Sequence, residues 1–236
     1  MSRAVKALLF DVFGTVVDWR SSVAAEVAQA ARTVGVATDG FALADAWRGA
    51  YAPSMDRVRK GEIAWANIDT LHRAALDALL PAHGLAALDE PSRDALNRAW
   101  HRLHPWPDSV AGLARLKRHF IIGTLSNGNV GLLVNMAKFA GLPWDVVISG
   151  ELFRHYKPDP ETYDGACSLL GLAPSQVMLV AAHNGDLAAA HARGMRTGFV
   201  LRATEYGPGQ ARDLRAEAAW DIVAGDFNAL ADQLGA

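Results

Sequence analysis

Asp11 ends the apolar run Leu8-Leu9-Phe10, and the chain turns at once through Phe13, Gly14 and Thr15. A carboxylate at the mouth of a buried strand is a candidate nucleophile, since a weak nucleophile gains from a site that positions and activates it. Three more polar clusters stand just after apolar runs: Ser126-Asn127-Gly128-Asn129, the stretch RHYKPD from Arg154 to Asp159, and His183-Asn184-Gly185-Asp186. Any one of these alone reads as a helix cap or a turn. Four of them following four such runs point to one site.

The elements that must carry them are visible as apolar runs: VKALLF (5–10), FIIGTL (120–125), DVVIS (145–149), QVMLVAA (176–182) and RTGFV (196–200), with a sixth at WDIVA (220–224). They are continuous rather than alternating, as in strands covered on both faces. Helical patterns lie between most of them. NVGLLVNMAKFAGL puts Val130, Leu133, Met136, Ala137 and Ala140 on one face and stops at Gly141, and PETYDGACSLLG does the same with Tyr163, Ala166, Cys167 and Leu170 before Gly171. This alternation predicts an α/β fold with a doubly wound parallel sheet, whose ligands bind beyond the carboxyl ends of the strands. The four polar clusters would then share one rim.

From about Val17 to about His104 the rhythm breaks. Only helical segments are found there: SSVAAEVAQAARTVG, FALADAWRGAY, IAWANIDTLHRAALDALL and PSRDALNRAWHRL. A block of about 85 residues is too long for a connection. It reads as an all-helical cap, residues 17–99, inserted into a core formed by 1–16 and 100–236. Leaving the end of the first strand, such an insert lies where it can cover the site as a lid.

Composition narrows the class. With 51% apolar and 20% charged residues the chain is an ordinary globular one, and a net charge of -2 argues against nucleic acid, which usually demands a basic face. One cysteine, Cys167, excludes an internal disulfide framework and points to a reducing, cytoplasmic setting. The run before Asp11 is too brief for a secretory leader, and no stretch reaches the roughly 20 apolar residues of a membrane helix. The expected partner is a small molecule. His101 and His104 are three apart but have no acidic or cysteine ligand beside them in the sequence, and the seven tryptophans, from Trp19 to Trp220, read as packing.

FDVFGT (10–15), TLSNGN (124–129), YKPDPETY (156–163) and VAAHNGD (180–186), in this order and with a helical insert after the first, resemble the haloacid dehalogenase superfamily over nearly the whole chain. The resemblance implies a Rossmann-like core with a helical cap. Phosphatases of that superfamily carry a second Asp, a general acid, two residues after the nucleophile; here that position is Phe13, which cannot protonate a leaving alcohol. Ala190 stands four residues after Asp186, where metal-dependent relatives often have another Asp. A halide leaves without a proton and suits dry, cationic or amide-lined surroundings. With the AWR of residues 46–48, the chain is therefore most similar to the metal-independent (S)-2-haloacid dehalogenases, the L-specific branch.

On that resemblance, Asp11 attacks the carbon bearing the halogen with inversion and forms an ester. Lys157 keeps Asp11 anionic, Thr15 orients it, and Tyr163 positions Lys157. Ser126 and Asn127, at the start of a predicted helix, anchor the substrate carboxylate. Arg48 from the cap faces the departing halide together with Asn127, and Phe13 lines the pocket. Asp186 belongs near the hydrolytic water or against Lys157. Familiar members carry Ser-Ser-Asn where this chain has Ala181-Ala182-His183, so His183 serves the water or the halide pocket; in a shorter register Asn184 takes that place. The implied activity is hydrolysis of short 2-haloalkanoic acids to 2-hydroxy acids, with halide as the second product, without metal or organic cofactor, in a homodimer. Two rivals stay open: a Mg²⁺-dependent phosphatase on the same scaffold, and a non-catalytic member that binds a small anion or a partner protein.

Overall fold

The computed structural model describes residues 5–236; Met1–Ala4, counted above in the first core segment, lie outside the described residues. Six strands form one parallel sheet in the order β5-β4-β1-β6-β7-β8: β1 (Ala7–Phe10), β4 (Ile121–Ser126), β5 (Val146–Ser149), β6 (Val177–Ala181), β7 (Arg196–Val200) and β8 (Ile222–Ala224). Strand β1 is central because it can be buried on both faces. Ala7 and Leu9 enter one apolar cluster, Leu8 and Phe10 the other, and all four are fully buried. The register pairs Phe10 with Thr124 and with Val180, so Asp11 leaves the sheet between the ends of β4 and β6.

The insert is helical as expected: α1 (Trp19–Thr33), α2 (Gly40–Gly49), α3 (Tyr51–Arg59), α4 (Ile68–Leu79) and α5 (Glu90–Asn97), followed by the 3-10 turn Arg98–His101. Its starts follow from side chains that take up otherwise free N–H groups. Asp18, Asp39, Asn67 and Asp89 accept from Ser21, Phe41, Thr70 and Ser92. The cap at Asn67 explains why IAWANIDTLHRAALDALL is not one long helix; α4 begins only at Ile68. Two strands also appear where none was expected. β2 (Val17–Asp18) pairs antiparallel with β3 (His104–Pro105), tying the exit of the insert to its return.

The remaining core helices are α6 (Ser109–Leu116), α7 (Val130–Ala140), α8 (Pro160–Leu169), α9 (Asn184–Ala192) and α10 (Phe227–Leu234). In α8 the expected Tyr163, Ala166 and Cys167 are buried. In α7 the fully buried residues are Leu132, Leu133 and Met136; of the five expected, Leu133 and Met136 are in the core and Ala137 and Ala140 pack half-buried against it. No helix among the described residues is long and apolar enough to cross a membrane.

Candidate active site

A cavity of about 270 Å³ opens beyond the carboxyl ends of β1, β4 and β6, beneath α2 and α3 of the cap. Asp11 is at its floor, 7% exposed. Thr15 donates to Asp11 Oδ2 at 2.8 Å and Lys157 Nζ to Oδ1 at 2.9 Å. Thr15 is itself fixed, since its hydroxyl accepts from the Ala182 N–H at 2.9 Å. Burial alone would raise the Asp11 carboxyl, but the Lys157 and His183 charges overcome it and hold it far below the ordinary range. The group is a fixed anion, oriented by donors on both oxygens.

Lys157 sits between two carboxylates. Its ammonium donates to Asp11 and to Asp186 Oδ2, and Tyr163 donates to the other Asp186 oxygen at 2.6 Å. Burial works against the ammonium, yet Asp11 and Asp186 raise its pKa above the ordinary lysine value. Burial, with Asp186 beside it, raises Tyr163 as well, so it remains a phenol donor. The Lys157 backbone is held too: Asn127 Oδ1 accepts from its N–H at 2.7 Å.

His183 connects Asp11 to a residue the motifs do not contain. Its Nδ1 lies 3.1 Å from Asp11 Oδ2, and its Nε2 lies 2.8 Å from Glu205 Oε2. Glu205 is 1% exposed; its other oxygen accepts from Trp19 Nε1 at 3.0 Å. Gly14 makes this possible. A Cβ there would stand 2.1 Å from Glu205 Oε1, and its φ of +86° already demands glycine. Burial would lower the His183 pKa, but Glu205 and Asp11 carry it well above the ordinary value, so the resting ring is an imidazolium between two carboxylates.

The cap wall is aromatic with one cation. Phe13, 3% exposed, meets Trp100 and Tyr51 edge-on at 5.8 and 6.2 Å. The Arg48 guanidinium lies 4.4 Å from the Tyr51 ring centre and 5.6 Å from that of Trp19. Its Nε is enclosed without a hydrogen-bond partner among the described residues. A cation held by ring faces, with a donor to spare, is suited to meet an anion.

A family model, the haloacid dehalogenase-like hydrolases, matches residues 5–194. The chain is a haloacid dehalogenase-like hydrolase. The hydrolase is 32% identical over 197 residues to (S)-2-haloacid dehalogenase 1 of Pseudomonas sp. (strain CBS-3), covering 82% of this chain and 83% of that one. Among solved structures it resembles the defluorinating L-2-haloacid dehalogenase Rha0230, with 51% identity, a TM-score of 0.96 and coverage of 98% and 96%. It also resembles the L-2-haloacid dehalogenase of Xanthobacter autotrophicus with chloropropionic acid covalently bound, with 26% identity, a TM-score of 0.81 and coverage of 98% of each chain. It belongs to the (S)-2-haloacid dehalogenase branch of the family.

Of the residues singled out in the sequence, the hydrolase brings Asp11, Phe13, Arg48, Asn127, Lys157 and Tyr163 to the cavity wall, with His183 and Asp186. Thr15 lies directly behind Asp11. Ser126 is buried beside the wall, where its Oγ accepts from the Gly128 N–H at 3.2 Å and shapes the turn. The expected helix start is partly spent, because the Val130 N–H donates to Glu151 Oε2. Asn184 does not line the cavity. As the first residue of α9 it points the other way, its amide held by Asp213, Arg215, Glu217 and Trp220. Of the two registers, the one with His183 beside Asp11 is the one in the fold. Asp186 stands against Lys157. His101 bonds Asp69 and Asn135, apart from His104. Glu205 and Tyr51 were missed. Glu205 stands next to YGPGQ, a stretch with no periodic pattern, and Tyr51 is separated from Arg48 by a helix break.

Proposed function

We propose that this hydrolase converts short 2-haloalkanoic acids to 2-hydroxy acids through an ester on Asp11, with the cap, residues 17–99, closing over a core of 1–16 and 100–236. The observation that carries the reading is the pairing of an anionic, lysine-bound Asp11 with a cavity wall of Phe13, Arg48 and Tyr51. That wall has no acid to protonate a leaving oxygen, but it has a cation for a leaving anion. Lys157 already places a positive charge between Asp11 and Asp186, and Ala190 adds no third carboxylate, which weighs against the Mg²⁺ phosphatase reading. A site that only binds an anion has no use for a buried carboxylate aimed into it.

In the first step the substrate carboxylate rests against Asn127, on the turn that Ser126 shapes from behind, and its halogen points to Arg48. An Asp11 oxygen attacks the halogen-bearing carbon from the opposite side; the C–O bond forms as the C–halogen bond breaks, and the halide leaves with the bonding pair. Closure over the site excludes competing water. Lys157, Thr15, Asp186 and Tyr163 hold the nucleophile in line.

The ester removes the Asp11 charge, and with it one of the two anions that keep His183 protonated. The ring then releases its Nδ1 proton to solvent, the proton that balances the departing halide, and becomes the base for water, while Glu205 holds Nε2–H. Water attacks the Asp11 carbonyl carbon as one of its protons passes to Nδ1. The adduct then breaks its bond to the ester oxygen, the ring gives that proton to the departing alkoxide and takes the new Asp11 carboxyl proton, and the 2-hydroxy acid leaves with the oxygen that Asp11 supplied. The reading includes a cytoplasmic location, supported by the single buried cysteine, and a homodimer, supported by the family resemblance and checked by sedimentation.

The test is halide release from chloroacetate and from each enantiomer of 2-chloropropionate in EDTA, with Asp11→Asn as control and a parallel phosphatase assay in Mg²⁺. Release that survives EDTA, prefers the (S)-enantiomer and is abolished in the control is the expected result. Phosphate release dependent on Mg²⁺, with no halide, would overturn the reading.

A further inference from the structure

Tyr51 belongs to none of the motifs, yet its ring and Arg48 form one wall of the cavity. We propose, building on the dehalogenase reading, that the Tyr51 hydroxyl donates a hydrogen bond to the departing halide and fits the site to fluoride, making fluoroacetate a substrate.

The placement follows from the chain. Arg48 ends in the last turn of α2, and Tyr51 opens α3 three residues later, so both reach the cavity from the cap, facing Asp11 in the core. A displacement with inversion sends its leaving group away from the nucleophile, towards the cap. The Tyr51 ring is fixed by Phe13 on its edge, by Arg48 over its face and by His72, 5.6 Å away. The Asn127 amide meets the Tyr51 hydroxyl as a donor, which leaves the phenol O–H itself to donate elsewhere. Burial pushes it up to about 12, so it keeps its proton at any working pH. The nearby Asn127 amide is largely engaged, with Oδ1 on the Lys157 N–H and Nδ2 directed to the Lys157 carbonyl and Met55 Sδ.

Fluoride distinguishes a donor from a mere dry surface. It carries the same charge as chloride in a smaller ion, so leaving without hydrogen bonds costs it more. Arg48 supplies charge, and Tyr51 adds a directed O–H. The electrons balance without proton transfer: the C–F pair leaves as fluoride, an Asp11 oxygen pair becomes the C–O bond, and Tyr51 donates a hydrogen bond while remaining a phenol.

Tyr51→Phe deletes one oxygen and keeps the ring under Arg48. The readout is the ratio of kcat/KM for fluoride release from fluoroacetate to that for chloride release from chloroacetate, measured on one preparation. A partly unfolded sample lowers both rates and leaves the ratio intact. The ratio is expected to fall by about 10-fold or more in the variant, the worth of one hydrogen bond to a charged group. An unchanged ratio overturns the proposal. So does a wild-type enzyme that turns over chloroacetate and leaves fluoroacetate untouched, although the dehalogenase reading survives that result. A wild-type enzyme inert to both acids removes the dehalogenase reading and this inference with it.

Discussion

On the core side of the cavity each charge is answered by another: Lys157 by Asp11 and Asp186, His183 by Asp11 and Glu205. On the cap side Arg48 Nε at the wall and, behind it, both His72 ring nitrogens are enclosed without hydrogen-bond partners among the described residues. His72 is packed among Trp47, Tyr51 and Trp100, and burial lowers it to about 3, so it is neutral. The core spends its polar groups on fixing a nucleophile in one geometry. The cap leaves a donor of Arg48 unspent at the cavity wall, and that residual capacity is what an arriving anion can use. Truncating a core group should therefore damage both fold and rate, whereas replacing a cap group should separate them.

The largest effect is expected at Lys157. Lys157→Met leaves Asp11 and Asp186 buried with no cation between them. Halide release should fall at least about 1000-fold, and stability by about 3–5 kcal/mol, the usual cost of orphaning a buried ion partner. Assays and urea unfolding check both. Arg48→Met should separate the two quantities. Activity should drop by roughly 100-fold, while stability stays level or rises, because an apolar chain replaces a cation with an unpaired donor. A large loss of stability in Arg48→Met would break the contrast between the walls.

Gly14→Ala tests the link between the two steps. Its Cβ would displace Glu205, so the ester should accumulate and be seen as a mass increase on the Asp11 peptide after acid quench. An unaltered steady-state level of ester would remove Glu205 from the second step. The smallest effect is expected at His72. Its folded pKa lies below the unfolded value, so the unfolded chain binds the extra proton between about pH 6.5 and 3. The stability that depends on a neutral His72 is complete above that window and is lost as pH falls through it, by about 1.4 kcal/mol per pH unit. His72→Phe should lack this slope in urea unfolding at pH 7 and 5, and its activity at pH 7 should stay within about 3-fold of wild type.

The core was more legible in the sequence than the cap for the same reason that their chemistry differs. A strand buried on both faces must be an unbroken apolar run, and a site at the end of a parallel sheet must place its polar residues just after such runs. Asp11, Ser126 and His183 could be read from position alone. Glu205 could not: its partners are Trp19 and His183, 186 and 22 residues away, and its segment carries no period. Tyr51 was hidden by the break between α2 and α3, which leaves no helical spacing linking it to Arg48. Asn184 marks the opposite limit. His183 caps α9 and Asn184 is its first residue, and the turn into the helix sends the two side chains apart, so sharing a motif with His183 did not bring Asn184 to the cavity.

The central claim is that Asp11 itself supplies the oxygen of the product. A single turnover of excess enzyme on (S)-2-chloropropionate in ¹⁸O-labelled water tests it directly. The account predicts an unlabelled hydroxyl in the lactate formed and ¹⁸O in the peptide that carries Asp11. Labelled lactate with an unlabelled Asp11 peptide would mean that water attacks the substrate carbon directly, and would contradict it.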